Sequence, residues 1–232
     1  ARVNTRPGLT IHGSDNRVEL QRAEHALKLA GEGRHVVVVS SGDPGVFAMA
    51  SAVFEAVETG PLSWRELDIA VLPGITAMLA AAARLGAPLG HDFCVINLSD
   101  NLKPWSIIET RLRLAVEADF AMAFYNPRSK ARPEGFEKAL DLLKRSCEKE
   151  RLIMFARAVS TPEESLLTVA LSDATPDMAD MRTMVLLGSR QTRLRWAVEA
   201  DFAMAFYNPR SKARPEGFEK ALDLLKCACE KE

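Results

Sequence analysis

Apolar residues recur along this chain in two alternating rhythms. One is helical: "VELQRAEHALKLAGEG" has apolar residues at Val18, Leu20, Ala23, Ala26, Leu27 and Leu29. That spacing predicts an amphipathic helix, with Ser14, Asp15 and Asn16 upstream as caps and Gly31 and Gly33 at its close. The other rhythm is a short unbroken apolar run, as in "HVVVVS" at 35–40, the pattern of a strand covered on both faces. The helix "VFAMASAVFEAVE" follows, then the strand "LDIAVL", the helix "AMLAAAARLG" and the strand "DFCVINLS". After these come the helix "PWSIIETRLRLAVEA", the strand "FAMAFYN", the helix "EGFEKALDLLKRSCEK", the strand "RLIMFARA", the helix-like "PEESLLTVAL" and the strand "TMVLLG". Strands separated by helices predict an α/β fold with right-handed crossovers and largely parallel sheets. Two lobes are expected, over residues 1–98 and 99–193.

Composition narrows the function classes. With 232 residues, 47% of them hydrophobic, the chain can bury one large core or two smaller ones. Thirty Lys and Arg against 31 Asp and Glu leave a net charge of −1, so no global field gathers nucleic acid or anionic lipid. The longest apolar tract, "VLPGITAMLAAAARLGAPLG", is broken by Pro73, Gly74, Arg84 and Pro88, which argues against a membrane span. The polar start "ARVNTRPG" carries no secretory pattern. Cys94, Cys147, Cys227 and Cys229 lack paired metal or redox spacing, so no metal site is expected and reduced thiols in the cytoplasm are. Trp64, Trp105 and the methionines read as core.

Candidate chemistry sits in the turns after the strands, because ligands of open α/β sheets bind beyond the strands' carboxyl ends. Three such turns stand out: "SGDPG", "PGITA" and "YNPRS". None is a G-x-G-x-x-G fingerprint or a P-loop, so a nucleotide phosphate is not the expected ligand. Gly42 and Gly45 let the backbone approach a ligand closely. Asp43 can accept from hydroxyl or amino groups, although Asp-Pro-Gly is also ordinary turn chemistry. The loop "NPRSKAR" places Arg128, Lys130 and Arg132 together. Their guanidinium and ammonium groups can pair carboxylates, although solvated loop charge is the simpler explanation of such a run.

Taken in order, "SSGDPGVFAMA", "LPGITAMLAAAARLGAPLGHDFCVINLSD", "FYNPRS" and "TMVLLGSRQTR" resemble the tetrapyrrole methylases over roughly residues 6–193. The resemblance implies a two-lobed α/β homodimer that binds S-adenosylmethionine (SAM) between its lobes and releases S-adenosylhomocysteine. It also implies a precorrin macrocycle as substrate, methylated at C17 with ring contraction in cobalamin biosynthesis. Carried over by motif, Ser41, Gly42, Asp43 and Val46 form the first cofactor loop and Thr76 and Ala77 the second, with Asn126 and Gly188 at two further strand ends. His12, in "IHGSDNR", touches substrate on this reading, or serves as a cap or surface residue. A sulfonium methyl donor needs no acid or base; a near-linear approach is what transfer demands, so positioning supplies most of the rate.

Two departures from the family pattern accompany the resemblance. Family members begin with a strand and a G-x-G-P-G turn that this chain does not contain, so its first lobe is expected to lack one strand-helix unit. Residues 193–232 repeat 111–150 with three differences, Leu114/Trp196, Arg145/Cys227 and Ser146/Ala228. The expectation is that residues 194–232 form an added segment whose strand at 202–208 is ordered in a sheet. Beside the methyltransferase stand two rival readings: a non-catalytic α/β protein that binds a small molecule, and a rearranged, inactive chain.

Overall fold

The computed structural model describes residues 7–13, 18–99, 103–128 and 134–193. Residues 1–193 make one compact unit; the repeat at 194–232, with its strand expected at 202–208 and its Cys227 and Cys229, lies outside the described residues, as do the expected caps Ser14, Asp15 and Asn16.

Five strands form one sheet in the order β1-β2-β5-β3-β4: β1 (Phe93–Asn97), β2 (Ala121–Tyr125), β3 (Leu152–Arg157), β4 (Ser165–Ala170) and β5 (Thr183–Leu187). Period-two alternation explains why the sheet takes helices on both sides. Met122 and Phe124 of β2, Ile153 and Phe155 of β3, and Val185 and Leu187 of β5 point to one face. There they meet Ile108 and Leu112 of α4 (Trp105–Glu117) and Phe136, Leu140 and Leu143 of α5 (Glu134–Ser146). Their neighbours Ala123, Met154, Met184 and Leu186 point the other way, against Ala81 and Ala82 of α3 (Ala77–Arg84). A separate core joins Ala23 and Leu27 of α1 (Glu19–Gly31) to Met49 and Ala56 of α2 (Met49–Thr59), with Val38, Leu67 and Ile69 packed on it.

The α/β class is as expected, but the sheet is not largely parallel. Only β1 and β2 run parallel; β2–β5, β5–β3 and β3–β4 are antiparallel. The cause is the segment "PEESLLTVAL", read from the sequence as helix-like, which forms β4. It follows β3 after a short connection closed by Thr161 N–H to Ala158 O and Glu164 N–H to Thr161 O. Neighbours joined so briefly must be antiparallel, since a parallel pair needs a crossover of a dozen or more residues. The parallel pair has its crossover in α4.

The two earliest expected strands carry no assigned ladder. At 35–40 burial has period two, with Val36 and Val38 half-buried while Val37 is 82% exposed and Val39 about half. In "LDIAVL", Leu67 and Ile69 pack inward while Leu72 is 78% exposed. An apolar run foretells that one face will be buried; a strand also needs a hydrogen-bonding partner, which the run itself does not specify. No described helix is long and apolar enough to cross a membrane.

Candidate functional site

Three turns converge at the carboxyl end of β2. The first, Ser41–Phe47, lies between the valine run and α2. Gly42 has φ +74°, a left-handed conformation that glycine adopts without steric cost. The turn is closed by Val46 N–H to Asp43 O at 3.2 Å and Gly45 N–H to Asp43 Oδ1 at 2.7 Å. Asp43 also reaches the second turn: its Oδ2 accepts from Gly74 N–H at 3.0 Å. At Gly74 a side chain would run into the backbone carbonyl of Gly42, so the two turns touch main chain to main chain.

The second turn ends at Thr76, the N-cap of α3. Its side chain makes no capping bond to its own helix. The Thr76 hydroxyl instead pairs with the Tyr125 hydroxyl, which also accepts from Met78 N–H at 3.2 Å. The Tyr125 ring lies 5.1 Å from that of Phe47, so the last residue of β2 touches both turns. Next to it Asn126, with φ +51°, starts the third turn and donates from Nδ2 to Asn97 Oδ1 at 3.1 Å, at the end of β1. Asparagine tolerates this left-handed conformation better than most residues.

Of the residues singled out from the sequence, Gly42, Asp43, Thr76 and Asn126 are thereby brought into one cluster, with Ser41, Val46 and Ala77 on the same turns. Gly188 is not among them. It follows β5, and β5 runs antiparallel to β2 with Leu187 opposite Met122. Gly188 therefore sits at the far end of the sheet, its backbone N–H bonded to Leu152 O and its space closed by Thr192. His12 is exposed, edge-on to His25 on α1 with ring centroids 4.8 Å apart. Arg128 turns toward the segment before β5, donating to Pro176 O at 3.3 Å, while Lys130 and Arg132 lie outside the described residues. Tyr125, Phe47 and Asn97 were not picked out from the sequence. Tyr125 and Asn97 share one legible signal, a polar-capable residue closing an apolar strand.

At the opposite end of the sheet lies a network of four charged side chains. Arg151, with its side chain 1% exposed, pairs with Asp119 and Glu148, each at 2.8 Å. Arg190 Nε donates to Glu148 Oε1 at 2.6 Å. The bond from Arg190, with a second from Arg151, holds the Glu148 carboxyl down to about 2. Among the described residues Cys94 and Cys147 are free thiols, and burial raises both above the ordinary thiol range.

Residues 7–175 match the family model of the Tetrapyrrole (Corrin/Porphyrin) Methylases. A precorrin-3B C(17)-methyltransferase from Sinorhizobium sp is 52% identical over 193 residues, covering 83% of this chain and 76% of that protein. The crystal structure of the methyltransferase CobJ superposes with a TM-score of 0.80 at 66% identity, over 82% of this chain and 80% of that one. A more distant structure shares the fold alone: uroporphyrin-III C-methyl transferase from Thermus thermophilus, complexed with S-adenosyl homocysteine. Its TM-score is 0.53 at 19% identity, over 74% of this chain and 74% of that one. Tetrapyrrole methylases use SAM as methyl donor, and the homologues of this chain are methyltransferases of cobalamin biosynthesis. The chain is a member of the tetrapyrrole methylase family.

Proposed function

We propose that this chain transfers a methyl group from SAM to C17 of a precorrin macrocycle, and that SAM sits against the turns at 41–47, 74–78 and 126. The observation that carries the reading is the main-chain contact of the first two turns at the carboxyl end of β2. It leaves Ser41, Gly42, Gly45, Ala77 and Asn126 exposed on one cluster and matches where such sheets bind ligands. The residues suit this donor. The site offers backbone groups, hydroxyls and a carboxylate to ribose, adenine and amino acid, and Phe47, Leu72 and Ile75 supply exposed apolar surface beside them. SAM supplies an already activated methyl group. The residues of this chain bind it, orient it and shield it from water, a contribution that effective molarity makes large.

Ser41, Gly42, Asp43, Val46, Thr76, Ala77 and Asn126 are the cofactor residues of this proposal; Gly188, at the other end of the sheet, is left out. A polycarboxylate substrate would meet Arg128 and its basic loop through bidentate pairs, with His12 as a further contact. The chain is further proposed to act as a homodimer in the cytoplasm, without nucleic-acid or membrane partners. The near-neutral net charge and the exposed apolar side chains of Val37 and Val39 support that reading. Incubation with SAM and precorrin-3B, read by mass spectrometry, tests the activity: a product heavier by one methyl is expected, and unchanged substrate with intact SAM counts against it. Sedimentation velocity at micromolar concentration should give a dimer, and a monomer alone would remove that part.

A further inference from the structure

We propose that Tyr125 is a positioning residue for the cofactor turns: its hydroxyl, at the end of β2, caps α3 on the same face of the sheet and fixes the 74–78 turn against β2. The proposal rests on the SAM reading above and assigns it a residue that makes the site rigid.

An α-helix leaves its first N–H groups without intrahelical partners. A threonine at the N-cap ordinarily satisfies one of them with its own oxygen. Thr76 occupies that position in α3 and does not do so. The orphan Met78 N–H donates to Tyr125, 47 residues away in sequence, and the Thr76 hydroxyl is drawn to the same phenol. Period-two alternation along β2 aims Tyr125 to this side, since Met122 and Phe124 face α4 and α5 while Ala123 faces α3. The turn is thus tied at both ends, at Gly74 by the Asp43 carboxylate and at Thr76–Met78 by Tyr125. Phe47, its ring tilted against the same phenol ring, closes the triangle back to the first turn. Phe47 itself has φ +50°, an unfavourable conformation for a bulky residue that the surroundings must hold in place.

The two hydroxyls also leave a donor for the ligand. Tyr125 and Thr76 carry one hydrogen each, and one of the two serves their mutual bond. The other is spent on no bond among the described residues, so an acceptor of the cofactor placed at the 74–78 turn can take it.

Tyr125→Phe keeps the ring and removes the hydroxyl; Thr76→Val keeps the volume and removes the partner. Each should weaken S-adenosylhomocysteine binding about tenfold, a typical cost of one hydrogen bond at a buried position, with melting temperature within a few degrees of wild type. The double variant should bind no more weakly than the worse single one, because both break one unit. Thr76→Ser should restore affinity. In the methyl-transfer assay KM for SAM should rise with kcat nearly unchanged. Hydrogen exchange without ligand should show faster exchange at residues 74–80 in Tyr125→Phe. Wild-type affinity in Tyr125→Phe, or wild-type exchange at 74–80, overturns the proposal. If the wild-type chain does not bind S-adenosylhomocysteine, the cofactor reading fails, and the exchange result alone then decides whether Tyr125 positions the turn.

Discussion

Asp43 concentrates the residue-scale argument. Both carboxylate oxygens are engaged by backbone N–H groups, one on its own turn and one on the next, so the side chain shapes the site before any ligand arrives. Asp43→Ala frees two amides and unties the turns; calorimetry should show S-adenosylhomocysteine binding weaker by about 1–3 kcal/mol. Gly74→Ala should be worse, because the added methyl has nowhere to go but the Gly42 carbonyl. Soluble protein with affinity more than about a hundredfold lower is the expected outcome. Asp43 stood out in the sequence because Asp-Pro-Gly turn chemistry after an apolar run is local, whereas Thr76 and Asn126 entered through the family resemblance; as cofactor residues all three remain part of the proposal. Tyr125 did not stand out, since a tyrosine ending an apolar strand reads as core until the fold brings Met78 N–H and Thr76 to its hydroxyl. The place of Gly188 was not legible for a related reason: the turn motif says that a strand ends there, not at which end of the sheet.

At the scale of elements, β2 is the part on which the site depends. Phe124 is fully buried between α4, α5 and the sheet, one residue before Tyr125. Phe124→Ala should destabilise the fold by about 3–5 kcal/mol through lost burial and a cavity, measured as a shift in urea midpoint without a change in slope. The helices α1 to α5 were legible from periodicity, and so were β1, β2, β3 and β5 from their apolar runs. β4 was not: Pro162, Glu163 and Glu164 form a helix-start signal, and Leu166, Leu167 and Val169 fit either period. Its register against β3, with Leu152 opposite Ala170, decided the matter, and that is a tertiary fact. Once β4 is a strand, the short connection makes the pair antiparallel, and the parallel expectation fails with it. The valine run at 36–39 shows the converse, a strong local pattern whose ladder partner the pattern does not name.

Across the whole molecule, the network of Arg151, Asp119, Glu148 and Arg190 and the proposed cofactor turns occupy opposite ends of one sheet, so a change at Glu148 should alter stability without altering binding. The folded carboxyl of Glu148 titrates at about 2, against an ordinary value of 4.5. Its stabilisation is therefore complete above about pH 4.5 and is lost as pH falls toward 2. The side chains are about half exposed, and screening limits the contribution to about 1 kcal/mol or less. Glu148→Gln should lower the melting temperature slightly at pH 7 and flatten its acid limb between pH 4.5 and 2, with S-adenosylhomocysteine affinity unchanged.

The repeat copies "FYNPRS" but neither "SGDPG" nor "PGITA", so the sequence holds one full set of the proposed cofactor turns. Isothermal titration of the full chain with S-adenosylhomocysteine tests this account most directly. It predicts saturable binding at one ligand per chain, weakened by Asp43→Ala and by Tyr125→Phe. No saturable heat up to millimolar ligand, or affinity indifferent to both substitutions, would contradict it.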